Sequence, residues 1–311
     1  MKIVPLAADS LGVRSLATLV YTGKNSILID PSAALGPRRY GLPPAKEEYE
    51  MLELSFNRIV KYAKLSKVIV ITHYHYDHHP FPDEEELYKK IFSDKVIIAA
   101  NYKNMHRSGY VRGKAFENTA KEYAKEIIFS DGDEYKFDSV TIETSPLVWH
   151  GEVRSKVGKV QMVFIKKGKN TYLFGSDAQN LYDPAAMKWF IDKNPKIATI
   201  DGYPTIFIGW RFSSKKFEES KKNLINAINN TKVKTVMLDH HLLRDVNYKE
   251  KISDVISACK KTKIVTAAEY LGLENFMLEA WRKKLHKGEL KVDVKKFDKK
   301  INQAIKKIIG E

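Results

Sequence analysis

"ITHYHYDHHPF", residues 71–81, sets His73, His75, Asp77, His78 and His79 in one short stretch. Protonated imidazoles repel one another, so such crowding needs something to hold it. The stretch follows "KVIVIT" (67–72), an apolar run that reads as a buried strand ending at His73. In extended chain His73 and His75 project to the same side, because side chains alternate with period two. Asp77 and His78 come after the chain turns. "PFPDEEELYKK" (80–90) then predicts a helix, with Asp83 as its N-cap and Glu86 three residues on. Neutral imidazoles and a carboxylate suit zinc, and also iron or manganese. A bound cation removes the repulsion, since a ligating histidine is deprotonated. A polar capping turn with incidental histidines is the plain alternative. It would do for a single H-x-H, but H-x-H-x-D-H at a strand end has the density of metal-ligand spacing.

A pair of ions needs more ligands than this loop supplies. Three candidates lie downstream, each at the end of an extended run: His150 in "SPLVWHG", Asp177 in "YLFGSDA" and His240 in "KTVMLDHH". Each is weak alone, and the shared placement at strand C-termini raises all three.

The rest of the chain supplies a frame for them. Strand-like runs recur at "KIVPLA", "LATLVYTG", "SILIDP", "DKVIIAAN", "KEIIFS", "DSVTIETSP", "KVQMVFIKKG" and "NTYLFGSD". Helical spacing appears in "KEEYEMLELSFNRIVKYAKL", and the second half alternates helical and extended segments, from "DPAAMKWFIDKN" to "YKEKISDVISACKKT". This pattern predicts a layered α/β sandwich over residues 1–270. Residues 271–311 read as a basic helical extension packed on that core.

Composition narrows the setting. The single cysteine, Cys259, excludes an intrachain disulfide and a Cys-rich zinc finger. No apolar run approaches the ~20 residues of a membrane span, and the N-terminus lacks the apolar core of a signal peptide. A cytoplasmic location is expected. The 53 Lys and Arg against 38 Asp and Glu leave +15 of net charge. That could attract RNA or another polyanion. Abundant Lys and Glu, with glutamine only at 161, 179 and 303, equally suit a heat-adapted ionic surface.

These motifs together resemble the metallo-β-lactamase superfamily. The likeness rests on Asp30 in "ILIDPS", the "HYHYDH" loop, His150, Asp177 and a histidine in "LDHHLLRD", in the family's order. It extends best to an archaeal branch of the superfamily, including the tail "ENFMLEAWRKKLHKGE", and that match gives no substrate. The resemblance implies a four-layer αββα sandwich with a dinuclear metal site. It implies that His73, His75 and His150 bind one ion, that Asp77, His78 and the last histidine bind the second, and that Asp177 bridges. Asp30 is expected to orient the loop through hydrogen bonds. Of the adjacent His240 and His241, strand alternation lets only one face the metals. His240 is chosen because it stands four residues before Arg244, like the H-x-x-x-R ending of the superfamily's tRNA-maturation nucleases. His241 is then left as an outer or substrate contact. His79 either touches substrate or caps the turn.

Two ions about 3.5–4 Å apart would share a hydroxide at neutral pH, with Asp77 and Asp177 in the catalytic centre. The expected activity is hydrolysis by a hydroxide bridging two zinc ions, on an anionic substrate such as a phosphodiester. The alternatives are an RNA-binding or nuclease-like protein and a lactone or thioester hydrolase. Arg38 and Arg39, in "DPSAALGPRRYGLPP", suit phosphate or carboxylate. The resemblance also implies that Ser10, Arg14 and Ser15 lie where the superfamily's first hairpin approaches the metals. The sequence leaves open whether the partner is a small molecule or a nucleic acid, and it indicates no membrane partner.

Overall fold

Long apolar runs in the sequence become the parallel strands of two sheets, and polar residues at their C-terminal ends become the candidate site. The computed structural model describes residues 1–23 and 25–310. The chain divides into two compact units. The first is Met1–Ala99, Val111–Ile128 and Ala267–Glu311; the second is Ala100–Tyr110 and Phe129–Thr266.

The first stretch of chain runs β1 (Lys2–Pro5), β2 (Thr18–Tyr21), β3 (Ser26–Ile29), α1 (Lys46–Ala63), β4 (Ser66–Ile71), α2 (Glu85–Phe92), β5 (Val96–Ala100), α3 (Arg107–Ala120) and β6 (Glu126–Ser130). Its six strands form a sheet in sequence order. β1, β2 and β3 are an antiparallel meander. β3, β4 and β5 are parallel, with α1 and α2 as crossovers. "SILI" is buried throughout, as is the "VIVI" of β4. That fits strands covered on both faces. Asp30 follows β3, and the histidine loop follows β4, at neighbouring C-terminal strand ends. Asp83 is not the cap of α2. The helix begins at Glu85 without a side-chain cap, and Glu84 instead accepts the Phe81 amide at 3.0 Å.

The second stretch runs β7 (Glu134–Phe137), β8 (Val140–Thr144), β9 (Val148–Trp149), β10 (Lys159–Val160), β11 (Val163–Lys167), β12 (Asn170–Phe174), α4 (Pro184–Lys193), β13 (Ile197–Asp201), α5 (Ser214–Asn229), β14 (Thr235–Asp239), α6 (Tyr248–Lys251), α7 (Ser253–Ala258) and β15 (Lys263–Val265). The sheet order is β15-β14-β13-β12-β11-β8-β7, with β9 and β10 as a separate ribbon. β12 to β15 are parallel. Their C-terminal ends carry Asp177, Asp201 and the His240–His241 pair. "KVQMVFIKKG", which reads as one strand, breaks at Gln161. Its buried amide donates to the Ser130 and Ser145 carbonyls at 2.9 Å each. "YKEKISDVISACKKT" likewise breaks, at Ile252, into α6 and α7.

Three terminal helices, α8 (Ala267–Tyr270), α9 (Leu278–His286) and α10 (Val294–Ile309), belong to the first unit. α10 buries Val294, Ile301, Ile305 and Ile309, a helical stripe, and lies against α1 and β1. Ion pairs fasten the segment. Arg58 of α1 pairs with Asp298. The buried Arg282 meets Glu48 through two 2.7 Å bonds. Arg14 is held by both Glu279 oxygens at 2.6 Å, so the structure gives it a fastening use beside the first hairpin. Ser10 likewise accepts the Ala268 amide at 2.9 Å, and Ser15 donates to the Ser32 carbonyl at 2.6 Å.

Candidate metal-binding groups

In the first unit the histidine loop hangs on Asp30. Its Oδ1 accepts the Thr72 amide at 2.8 Å, and its Oδ2 accepts the Thr72 hydroxyl at 2.6 Å. Oδ2 also lies 2.8 Å from His78 Nδ1. Asp30 itself takes φ +46° and is fully buried. Burial pushes its carboxyl above the usual range, against the opposing pull of His78 and Thr72. A carboxylate on one imidazole nitrogen leaves the other directed elsewhere, as in metal sites where an outer carboxylate orients the ligand. That second nitrogen, His78 Nε2, stands 4.0 Å from Asp77 Oδ1. The His73 and His78 rings are 4.1 Å apart, and His73 Nε2 is 3.1 Å from His75 Nδ1. Donor atoms of Asp30, His73 and His78 all fall within 4.8 Å of one another.

His79 departs from the cluster. Its ring is buried among Tyr74, Tyr76 and Phe116, with Nδ1 2.8 Å from the Pro80 carbonyl. Burial lowers its pKa to about 4. Arg38 is exposed. Arg39 lies over the Tyr40 ring at 4.3 Å and donates to its hydroxyl at 3.3 Å.

In the second unit Asp177 is the centre. Its Oδ2 lies 3.1 Å from His150 Nε2 and 3.6 Å from His240 Nε2, all three side chains being buried. Gln179 Nε2 is 3.3 Å from His150 Nδ1, which fixes that ring from behind. His240 has φ +64°, so the chain leaves extended geometry at this residue, and the alternation argument does not reach across the pair. Arg244 Nη2 stands 3.3 Å from His240 Nε2. His241 Nδ1 is 2.9 Å from Asp201 Oδ2, and its amide donates to Asp201 Oδ1 at 3.1 Å. Burial and the nearby Asp177 raise the Asp201 carboxyl well above its ordinary range. Burial, Arg244 and His240 hold His241 well below its own. Donor atoms of Asp177, His240 and His241 lie within 4.8 Å of one another.

Sequence reasoning missed Asp201 and Gln179. Asp201 closes the apolar run "KIATID" (196–201), an extended segment ended by an acid, the same signal that singled out Asp177.

Imidazole and carboxylate donors, with outer nitrogens held by Asp30, Gln179 and Asp201, fit a transition metal of the zinc or iron kind. Fold and donor groups together define a metallo-β-lactamase-fold protein with groups able to bind metal. The fold is that of YhfI from Bacillus subtilis, a metallo-β-lactamase fold protein (TM-score 0.56, 14% identity, 88% of this chain and 98% of that). It is also that of zinc-bound PqqB from Methylobacterium extorquens (TM-score 0.52, 8% identity, 86% and 98%). Within that class the chain belongs to the UPF0282 family. It is 42% identical over 297 residues to UPF0282 protein PH1002 of Pyrococcus horikoshii, covering 93% of this chain and 94% of that one. No family model matches the sequence.

Proposed function

We propose that the protein is a metal-dependent hydrolase acting on an anionic substrate, a phosphodiester or a similar group. In this reading, which follows the family resemblance, His73, His75 and His150 would hold one ion, Asp77, His78 and His240 would hold a second, and Asp177 would serve both. The observation that carries it is the donor chemistry of each unit: buried imidazoles beside aspartates, with His78 oriented from behind by Asp30 and His150 by Gln179. Zinc is the favoured metal, in keeping with the zinc-bound PqqB. Iron or manganese would suit the same donors. When bound, such ions supply Lewis acidity and a water that ionises near neutral pH.

The chain's own residues bind and orient. Asp30 fixes the loop and the His78 ring. Asp201 fixes His241, leaving its Nε2 for an outer contact to substrate. Arg38 and the +15 net charge favour a substrate carrying negative charge. The cytoplasm is the setting we favour, in keeping with a single, buried cysteine. No described helix is long and apolar enough to cross a membrane.

The test is a panel of a generic phosphodiester, a lactone, a thioester and a β-lactam, offered to protein loaded with zinc. Phosphodiester turnover that stops on chelation is expected. Turnover of the lactone or thioester alone would move the substrate class, and no turnover of any member would remove the hydrolase reading.

A further inference from the structure

Beyond the metal-binding groups, the second unit displays an aromatic side chain that packing does not explain. Trp210 is 75% exposed, more than any other large apolar side chain among the described residues. It sits at the tip of residues 205–212, "TIFIGWRF". Tips with exposed apolar groups are ordinarily loose, and this one is tied. The amides of Trp210, Arg211 and Phe212 all donate to the Phe207 carbonyl, at 3.2, 2.8 and 3.1 Å. The Gly209 amide returns to the Phe212 carbonyl at 2.9 Å. Gly209 takes φ +85°, which a side chain would strain.

The aromatic rings continue inward. Phe207 lies 5.7 Å from Trp210, Phe212 lies 6.2 Å from Phe207, and the buried Tyr203 lies 5.5 Å from Phe212. At its base Thr205 donates to Asp245 at 2.6 Å. The Arg211 guanidinium stands 5.6 Å from the Phe207 ring and 5.5 Å from the Trp210 ring. Neither Arg211 nor the exposed Lys215 is in an ion pair among the described residues. The loop leaves the sheet at Asp201, whose carboxylate orients His241, and residues 205–207 pack beside residues 240–244.

We propose that residues 205–212 form a stacking platform for single-stranded RNA. A rigid indole face beside a guanidinium meets both halves of a nucleotide: the base stacks, and the phosphate pairs with Arg211. Because the tip is organised by its own hydrogen bonds, binding need not pay to order it. A second protein surface would need an apolar patch, whereas this ring lies beside the Arg211 guanidinium, which is in no ion pair among the described residues. RNA is the fitting polyanion, since its loops and ends offer unstacked bases where duplex DNA does not. That RNA is also the substrate rests on the hydrolase reading above; the platform itself does not.

The test is fluorescence anisotropy of a labelled 12-nucleotide single-stranded RNA and its duplex, with full-length zinc-loaded protein, at several salt concentrations. Trp210→Ala is expected to weaken single-strand binding about 5- to 100-fold, and Trp210→Phe to recover most of it. Arg211→Ala should lower the salt dependence by about one unit of slope. Trp210→Ala binding RNA as tightly as the parent, or an equal loss on duplex, would overturn the platform. So would a parent dimer that Trp210→Ala converts to monomer, which would assign the ring to self-association. Metal content read on the same samples separates the two proposals. Trp210-dependent RNA binding by protein that takes up no metal would leave the platform and remove the hydrolase. Full metal with Trp210-independent binding would do the reverse.

Discussion

At the scale of the residue, the sharpest question is which of two neighbouring histidines holds a metal. The choice of His240 from sequence used period-two alternation, and the chain abandons extended geometry at that residue, with φ +64°. What supports it now is Asp177, whose Oδ2 lies 3.6 Å from His240 Nε2. His241 has its Nδ1 against Asp201 instead. His240→Ala should therefore lose metal and nearly all hydrolysis. His241→Ala should retain metal and cost roughly 10–100-fold in activity, as outer contacts do. Metal loss in the His241 variant with retention in the His240 variant would reverse the assignment. The "HYHYDH" loop was legible because its donors are contiguous and close a strand. Asp201 carries the same strand-end signal as Asp177, but nothing local ties it to a histidine, and only the parallel pairing of β13 with β14 brings it to His241. His79, expected to touch substrate or to cap the turn, has its ring turned into an aromatic core, a matter of rotamer and packing that spacing does not encode.

Among elements, the strands were readable as apolar runs, and the breaks within them were not. Gln161 interrupts one run through two hydrogen bonds to distant carbonyls, a tertiary effect. The terminal helices were visible as amphipathic stripes, while their fastening to α1 depends on pairs far apart in sequence. One of these is testable. Arg282 and Glu48 are 0% and 1% exposed in their side chains and joined by two bonds. Glu48 also accepts the Ala45 amide at the start of α1, at 2.8 Å. Glu48→Ala leaves a buried guanidinium unpaired and should cost about 3–5 kcal/mol in denaturant unfolding. Replacing both partners with apolar residues of similar size should recover most of that loss, and a Glu48→Ala cost under about 1 kcal/mol would show the pair to be immaterial. A second prediction concerns the base of the 205–212 loop. Burial works against charge on Asp245, but bonds from Lys251, Thr205 and Asn247 outweigh it and hold the carboxyl below its ordinary range. A depressed carboxyl stabilises the folded state fully above its unfolded pKa of about 4, and that contribution is lost as pH falls through the lower folded value. The gap in melting temperature between parent and Asp245→Asn should thus be constant near neutrality and shrink below about pH 4. A gap independent of pH down to the acid limit would contradict it.

For the whole molecule, the proposed function rests on one claim, that the histidine and aspartate groups of the chain bind metal. The fold and the family stand on their own comparisons, and both are compatible with a protein that has kept the architecture and changed its chemistry. The net charge of +15 is likewise shared by a heat-adapted surface and by a protein that meets RNA. Metal content tests that claim most directly. The measurement is elemental analysis of full-length protein purified without chelator and supplied with zinc, beside Asp77→Ala and His73→Ala. The account predicts about two transition-metal ions per chain in the parent and about one in each variant, with Asp77→Ala emptying the second site and His73→Ala the first. A parent without metal, or variants that keep the parent's full complement, would contradict it.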